Sequence, residues 1–113
     1  MYTYKAKLDR IIDGDTVDAV IDLGFDVSVH KRIRLAGIDT PESRTRDLKE
    51  KERGLASKAR LEEMLEGGEF VLESKEVGKY GRVLGTLFVD EKNINQTLVE
   101  EGYAVEYFGG KKK

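Results

Sequence analysis

Three short segments of the 113-residue chain put charged side chains beside turn-forming residues: Asp13-Gly14-Asp15-Thr16, the stretch RLAGIDTPE from Arg34 to Glu42, and Lys79-Tyr80-Gly81-Arg82. Their chemistries complement one another. Asp15 and Asp39 supply hard carboxylate oxygens that suit Ca²⁺ or Mg²⁺, and two carboxylates with a backbone carbonyl and waters are enough for a Ca²⁺ site. Glu42 lies three residues past Asp39, across a Thr-Pro turn. That turn can set it beside such an ion without making it a ligand, where a base for a water nucleophile belongs. Arg34 and Arg82 carry planar guanidinium forks that grip phosphate oxygens in pairs. They would also stabilise the charge that builds as water attacks phosphorus. Metal ligands, a base and two arginines are together the parts of phosphodiester hydrolysis.

Each segment also has a plainer reading. Asp-Gly-Asp is a frequent turn, and Asp13 alone reads more readily as a turn or cap residue than as a ligand. Arg32 and Arg34 on one strand face would ordinarily be a solvated edge. Pro41, the only proline, stiffens a turn. Lys79 meets either a phosphate or water, and Tyr80 and Tyr103 read as partly buried packing residues. His30, the only histidine, sits in a charged strand and reads as a surface residue. On the residues alone, a phosphate site and a set of incidental turns stand about level.

Strands must present these segments. TYKAKLDRII, TVDAVIDLG and DVSVHKRIRLAG alternate apolar and polar residues and are separated by Asp13-Gly14 and by Gly24 and Asp26. Connections so short make antiparallel neighbours. Residues 43–54 have Leu48 as their one apolar anchor and leave a loop or an extra helical turn open. A helix is expected over about 55–66, where Ser57, Leu61, Met64 and Leu65 share a face before Gly67-Gly68. EFVLES and RVLGTLFVD read as strands, and a short helix follows from about Asn95 to Glu101. The expectation is therefore a mainly β chain with helices: a five-stranded Greek-key barrel of the OB type, with a helix between strands 3 and 4 and a short C-terminal helix. It forms a single domain over 1–113, with 108–113 a frayed tail.

Composition narrows the classes. The chain has no cysteine, which excludes disulfides, zinc thiolate sites and thiol catalysis. Net charge is -2, so nothing draws nucleic acid to the whole surface, although a local basic face remains open. No export signal or membrane-length apolar window is visible. The expected location is the cytoplasm, or the mature form of an exported protein. No membrane partner is expected, and the oligomeric state stays open.

In order and spacing, DGDT at 13–16, RLAGIDTPE at 34–42, KYGR at 79–82 and NQTLVEEGYA at 95–104 resemble the staphylococcal-nuclease-like (thermonuclease) family. The resemblance implies an OB-barrel enzyme that uses Ca²⁺ to cleave single-stranded or locally melted DNA and RNA. Water attacks phosphorus and the 5′ oxygen leaves, giving 3′-phosphate ends. It implies Asp15 and Asp39 as carboxylate ligands, Thr40 as a ligand through its backbone carbonyl, and Asp13 near the metal but outside its ligand set. Glu42 would be the general base, and Arg34 and Arg82 the phosphate contacts. Lys79, Tyr80 and Phe108 would border the nucleic acid. The family archetype has tyrosines where this chain has Phe108 and Gly110; Phe108 can stack on a base but cannot donate a hydrogen bond. The alternative is a non-catalytic OB module that binds nucleic acid or protein, a use to which relatives of this fold are put.

Overall fold

A computed structural model describes residues 2–77 and 83–107, with the backbone alone for 75–77. The N-terminal third forms an antiparallel meander of β1 (Tyr2–Asp13), β2 (Thr16–Gly24) and β3 (Val27–Leu35). Period-two patterning decides which face is inward. Val17, Ala19 and Ile21 of β2 and Ile33 and Leu35 of β3 are buried, while Arg32 and Arg34 lie on the other face of β3. A two-residue strand β4 (Ile38–Asp39) follows, then helix α1 (Leu48–Met64). β5 (Glu69–Val77) and β6 (Val83–Val89) pair antiparallel, and β5 also pairs with β1. β7 (Lys92–Asn93) leads into helix α2 (Ile94–Glu100), and β8 (Val105–Glu106) pairs with β4. The core gathers Val17, Ile33, Leu35, Leu72 and Leu87 from the sheet with Leu61, Leu65, Ile94 and Leu98 from the two helices.

The mixed β and α composition with two helices is as expected, but the five-stranded Greek-key barrel is not. The described residues make eight strands in two sheets, one ordered β3-β2-β1-β5-β6-β7 and the other β4-β8. β3 meets β6 through three parallel pairs, Ile33 with Val83, Arg34 with Leu84 and Leu35 with Gly85. From Val27 to Arg32, β3 pairs with β2 alone among the described residues, so the sheet is not closed into a barrel along its length. Register explains the difference. Closure needs a continuous staggered ladder between the first and last strands, but among the described residues β3 offers only Ile33–Leu35 to β6. The β2–β3 hairpin runs past it and leaves Leu23, Phe25 and Val27 exposed.

α1 also begins earlier than expected. The Oδ1 of Asp47 accepts from the backbone N–H groups of Lys49 (3.0 Å) and Glu50 (3.2 Å), an N-cap that starts the helix at Leu48. Leu48 is exposed, so the first turn rests on this cap and on strong helix formers, not on an apolar anchor. With β4 counted, α1 follows the fourth strand.

Candidate functional site

The β1–β2 turn, the end of β3 and the segment through β4 converge at one end of the meander. Asp15 is buried at 7% exposure, and every bond it makes is local to this junction. Its Oδ1 accepts from Thr16 Oγ1 at 2.9 Å and its Oδ2 from the Thr40 N–H at 3.0 Å, while its backbone carbonyl accepts from Leu35 N at 2.8 Å. Arg34 spans the two expected ligands. Its Nη1 lies 3.3 Å from Asp15 Oδ2 and its Nη2 3.4 Å from Asp39 Oδ1, and Nη1 also donates to the Leu35 carbonyl at 3.1 Å. Three of the predicted residues are thus drawn into one charge cluster around a guanidinium that is itself largely buried.

Asp13 and Glu42 stand apart from that cluster. The Oδ1 of Asp13 accepts from both the N–H (3.3 Å) and the hydroxyl of Ser43, so Asp13 holds the backbone next to Glu42 in place. Glu42 is exposed and its carboxylate makes no hydrogen bond or ion pair among the described residues, which leaves it free to meet a solvent molecule. Arg82, Lys79, Tyr80 and Phe108 lie outside the described residues. His30 is on the surface, with Nε2 2.7 Å from Asp9 Oδ2.

Gly54, Gly14 and Asn95, to which the sequence reading gave no role, also shape the site, as does the side chain of Thr40, which was expected there only through its backbone carbonyl. Gly54 faces inward from α1. A Cβ on it would lie 2.4 Å from the carbonyl carbon and oxygen of Glu42 and 2.7 Å from Ser43 N, so only glycine lets the helix rest on the segment that carries Glu42. Gly14 makes the same allowance from below, since a Cβ there would sit 2.7 Å from Ser57 Cβ. Asn95 is buried, and its Nδ2 donates to the Ala36 (2.9 Å) and Gly85 (3.2 Å) carbonyls while its Oδ1 accepts from Leu87 N (3.2 Å). It ties α2 to the turn that follows Arg34. Thr40 is buried, and its Oγ1 has no hydrogen-bond partner among the described residues, a costly state for a hydroxyl removed from water. Of these, only the polar Asn95 at the start of an apolar helix face carried a sequence signal.

Among the described residues no group of three or more His, Cys, Asp or Glu side chains is arranged to hold a metal. Two hard carboxylates meet at Arg34, and the unpartnered Thr40 hydroxyl belongs to the same junction. That donor set fits an oxygen-seeking cation that keeps several waters. A cleft of about 370 Å³ opens beside Asp39 and Thr40 and is bordered by Glu50 and Arg53 of α1 and by Tyr103. The larger groove, about 970 Å³, is bordered by hairpin residues such as Phe25 and Val27 and shares no residue with the site.

Comparison with known proteins points the same way. The family profile described as "Staphylococcal nuclease homologue" matches residues 32–113. The chain is 32% identical over 117 residues to a micrococcal nuclease of Shigella flexneri, covering 94% of this chain and 61% of that protein. It is 30% identical to Protein ParB of Escherichia coli, covering 91% and 57%. It is 33% identical to Endonuclease YncB of Bacillus subtilis (strain 168), covering 86% and 45%. The chain therefore spans about three-fifths or less of the length of these relatives.

Proposed function

We propose, from the premise that this chain belongs to the staphylococcal nuclease homologue family, that it is a Ca²⁺-dependent nuclease hydrolysing phosphodiester bonds of DNA or RNA to leave 3′-phosphate ends. The observation that carries this reading is the convergence of Asp15, Asp39 and Arg34 at one junction, together with the buried, unpartnered hydroxyl of Thr40. Asp15 and Asp39 would hold the cation with a Thr40 oxygen and waters. A bound Ca²⁺ supplies Lewis-acid polarisation of the phosphoryl oxygen and offsets its charge.

The chain's own residues do the rest. Arg34 offers its fork to the non-bridging oxygens of the scissile phosphate, and Arg82 is assigned the second fork by resemblance. Glu42, exposed at the rim, accepts a proton from the attacking water. The new bond is water oxygen to phosphorus, the bond that breaks is phosphorus to the 5′ oxygen, and that oxygen leaves as a hydroxyl after taking a proton from solvent. Asp13, Ser43 and Gly54 fix the backbone of Glu42 so that its carboxylate has a defined reach. The names of the relatives support the coarse reading, since several are nucleases or endonucleases.

The test is cleavage of single-stranded DNA with Ca²⁺ against an EDTA control. Cleavage that EDTA abolishes is expected, and Glu42→Gln is expected to lower kcat by about 10²–10⁴-fold with an unchanged melting temperature. An unaltered rate in that variant would remove Glu42 as the base. The other reading, a non-catalytic binding module, is favoured by one observation: Arg34 is already engaged by both carboxylates. Binding of the strand without EDTA-sensitive cleavage would decide for it.

A further inference from the structure

Next to Arg34, on the same outer face of the sheet, a second group of charges crosses three strands. The register sets Arg10 of β1 and Arg32 of β3 on either side of Asp18 of β2. Asp18 is buried at 5% exposure, and its Oδ2 accepts from Arg10 Nε at 3.1 Å. Arg32 grips it with two bonds, Nε to Oδ1 at 2.8 Å and Nη2 to Oδ2 at 3.2 Å. The guanidiniums are not buried with it: the side chains of Arg10 and Arg32 are 64% and 43% exposed. Asp18 is thus an anchor beneath two cations. It occupies their inner edges, and both Nη groups of Arg10 and the Nη1 of Arg32 make no hydrogen bond among the described residues. One carboxylate against two guanidiniums leaves a net positive charge on a chain whose total is -2.

We propose that Arg10 and Arg32, oriented by Asp18, form a second phosphate site that holds a neighbouring phosphate of the same single strand whose scissile phosphate sits at Arg34. This subsite rests on the nuclease reading. Three features select a nucleic-acid strand as the occupant. Arg32 and Arg34 project from one face two residues apart, roughly 6.6 Å along a strand, about the step between successive phosphates of an extended single strand. The cations are continuous with the candidate site, since Thr16, bonded to Asp15, is the register partner of Arg34 and the pair Asp18–Arg32 comes two residues further along. Pre-oriented forks also lose less freedom on gripping a phosphate than free arginines do. The Asp18 carboxyl is lowered from its ordinary value, chiefly by its hydrogen bonds from Arg32, which favours the charged form of the anchor.

The subsite predicts a dependence on substrate length. Oligothymidylates of two and eight nucleotides are compared by kcat/KM with Ca²⁺ in the wild type, in Arg10→Gln and in Arg10→Gln/Arg32→Gln. The gain in kcat/KM from the dimer to the octamer is expected to shrink about threefold in Arg10→Gln and about tenfold in the double variant. Arg10→Gln leaves Asp18 its bidentate partner, so it carries the test if the double variant does not fold. A length gain equal to that of the wild type, or an equal loss on both substrates, would overturn the subsite. No cleavage of either substrate by the wild type would instead sink the nuclease reading, and the subsite with it.

Discussion

Arg34 has two competing engagements. In the structure its guanidinium bridges Asp15 and Asp39, yet the proposed chemistry needs the carboxylates for a cation and the guanidinium for a phosphate. Ca²⁺ and phosphate would therefore enter as a pair, each taking one side of an existing ion pair. Replacing Arg34 by Gln removes the competing cation and leaves two nearby carboxylates whose mutual repulsion a bound cation would relieve. We expect Arg34→Gln to bind Ca²⁺ several-fold more tightly by calorimetry while kcat falls about 10²–10³-fold. Weaker Ca²⁺ binding would mean that Arg34 orders the carboxylates more than it competes for them. The principals of this cluster were readable as residue types at turn positions. The Thr40 hydroxyl and the Asn95 clamp were not, because burial without a partner, or with three backbone partners, is a property of the packed molecule and leaves no local pattern.

Helix α1 acts as a support pressed against the segment that carries Glu42. Its inward face is Gly54, Ser57 and Leu61, all buried. Ser57 Oγ donates to the Tyr103 carbonyl at 2.7 Å, and Arg60 pairs with Glu101 at 2.6 Å, so the same helix ties down the C-terminal end. Gly54→Ala would drive a methyl into the Glu42 carbonyl and must move either the helix or the segment that carries Glu42. Overpacking of this kind costs about 1–3 kcal/mol, and misplacement of a base by about an ångström can cost on the order of 100-fold in rate. We expect both a lower urea midpoint and a kcat reduced at least tenfold. Leu55→Ala, at an exposed neighbouring position, should change neither by much. A rate loss of the same size in Leu55→Ala would take the effect away from the Gly54 contact. The second half of α1 was legible from its apolar spacing. Its first two turns were not, because they carry no apolar stripe and depend on the Asp47 cap and on a glycine facing backbone.

Across the whole molecule, ion pairs reinforce elements that the sheet and the core already join. Asp18 joins β1, β2 and β3, and Glu101 joins α2 to α1 through Arg60. Both carboxyls are lowered, Asp18 from an ordinary 3.8 and Glu101 from 4.5, each chiefly by a hydrogen bond from its arginine. A carboxyl depressed in the folded state stabilises above its unfolded value, and that contribution is lost as pH falls through the folded one. Urea midpoints should therefore hold steady above about pH 4.5 and fall below it. The gap between the wild type and Asp18→Asn should narrow as the pH drops past 3.8. A gap that stays constant down to pH 2 would mean that Asp18 contributes nothing through its charge. The meander and the two later strands were legible from alternation, but the closure expected of them was not. Whether two distant strands meet along their full length is decided by their register and stagger, which no local periodicity encodes. The register of β3 has one more consequence. Burying Ile33 and Leu35 and presenting Arg32 and Arg34 are a single event, since a slip of one residue would exchange the two sets. Any hereditary change that loosens the apolar side of this strand is also a change to its charged side, so the arginine-bearing surface cannot drift independently of the interior that holds it.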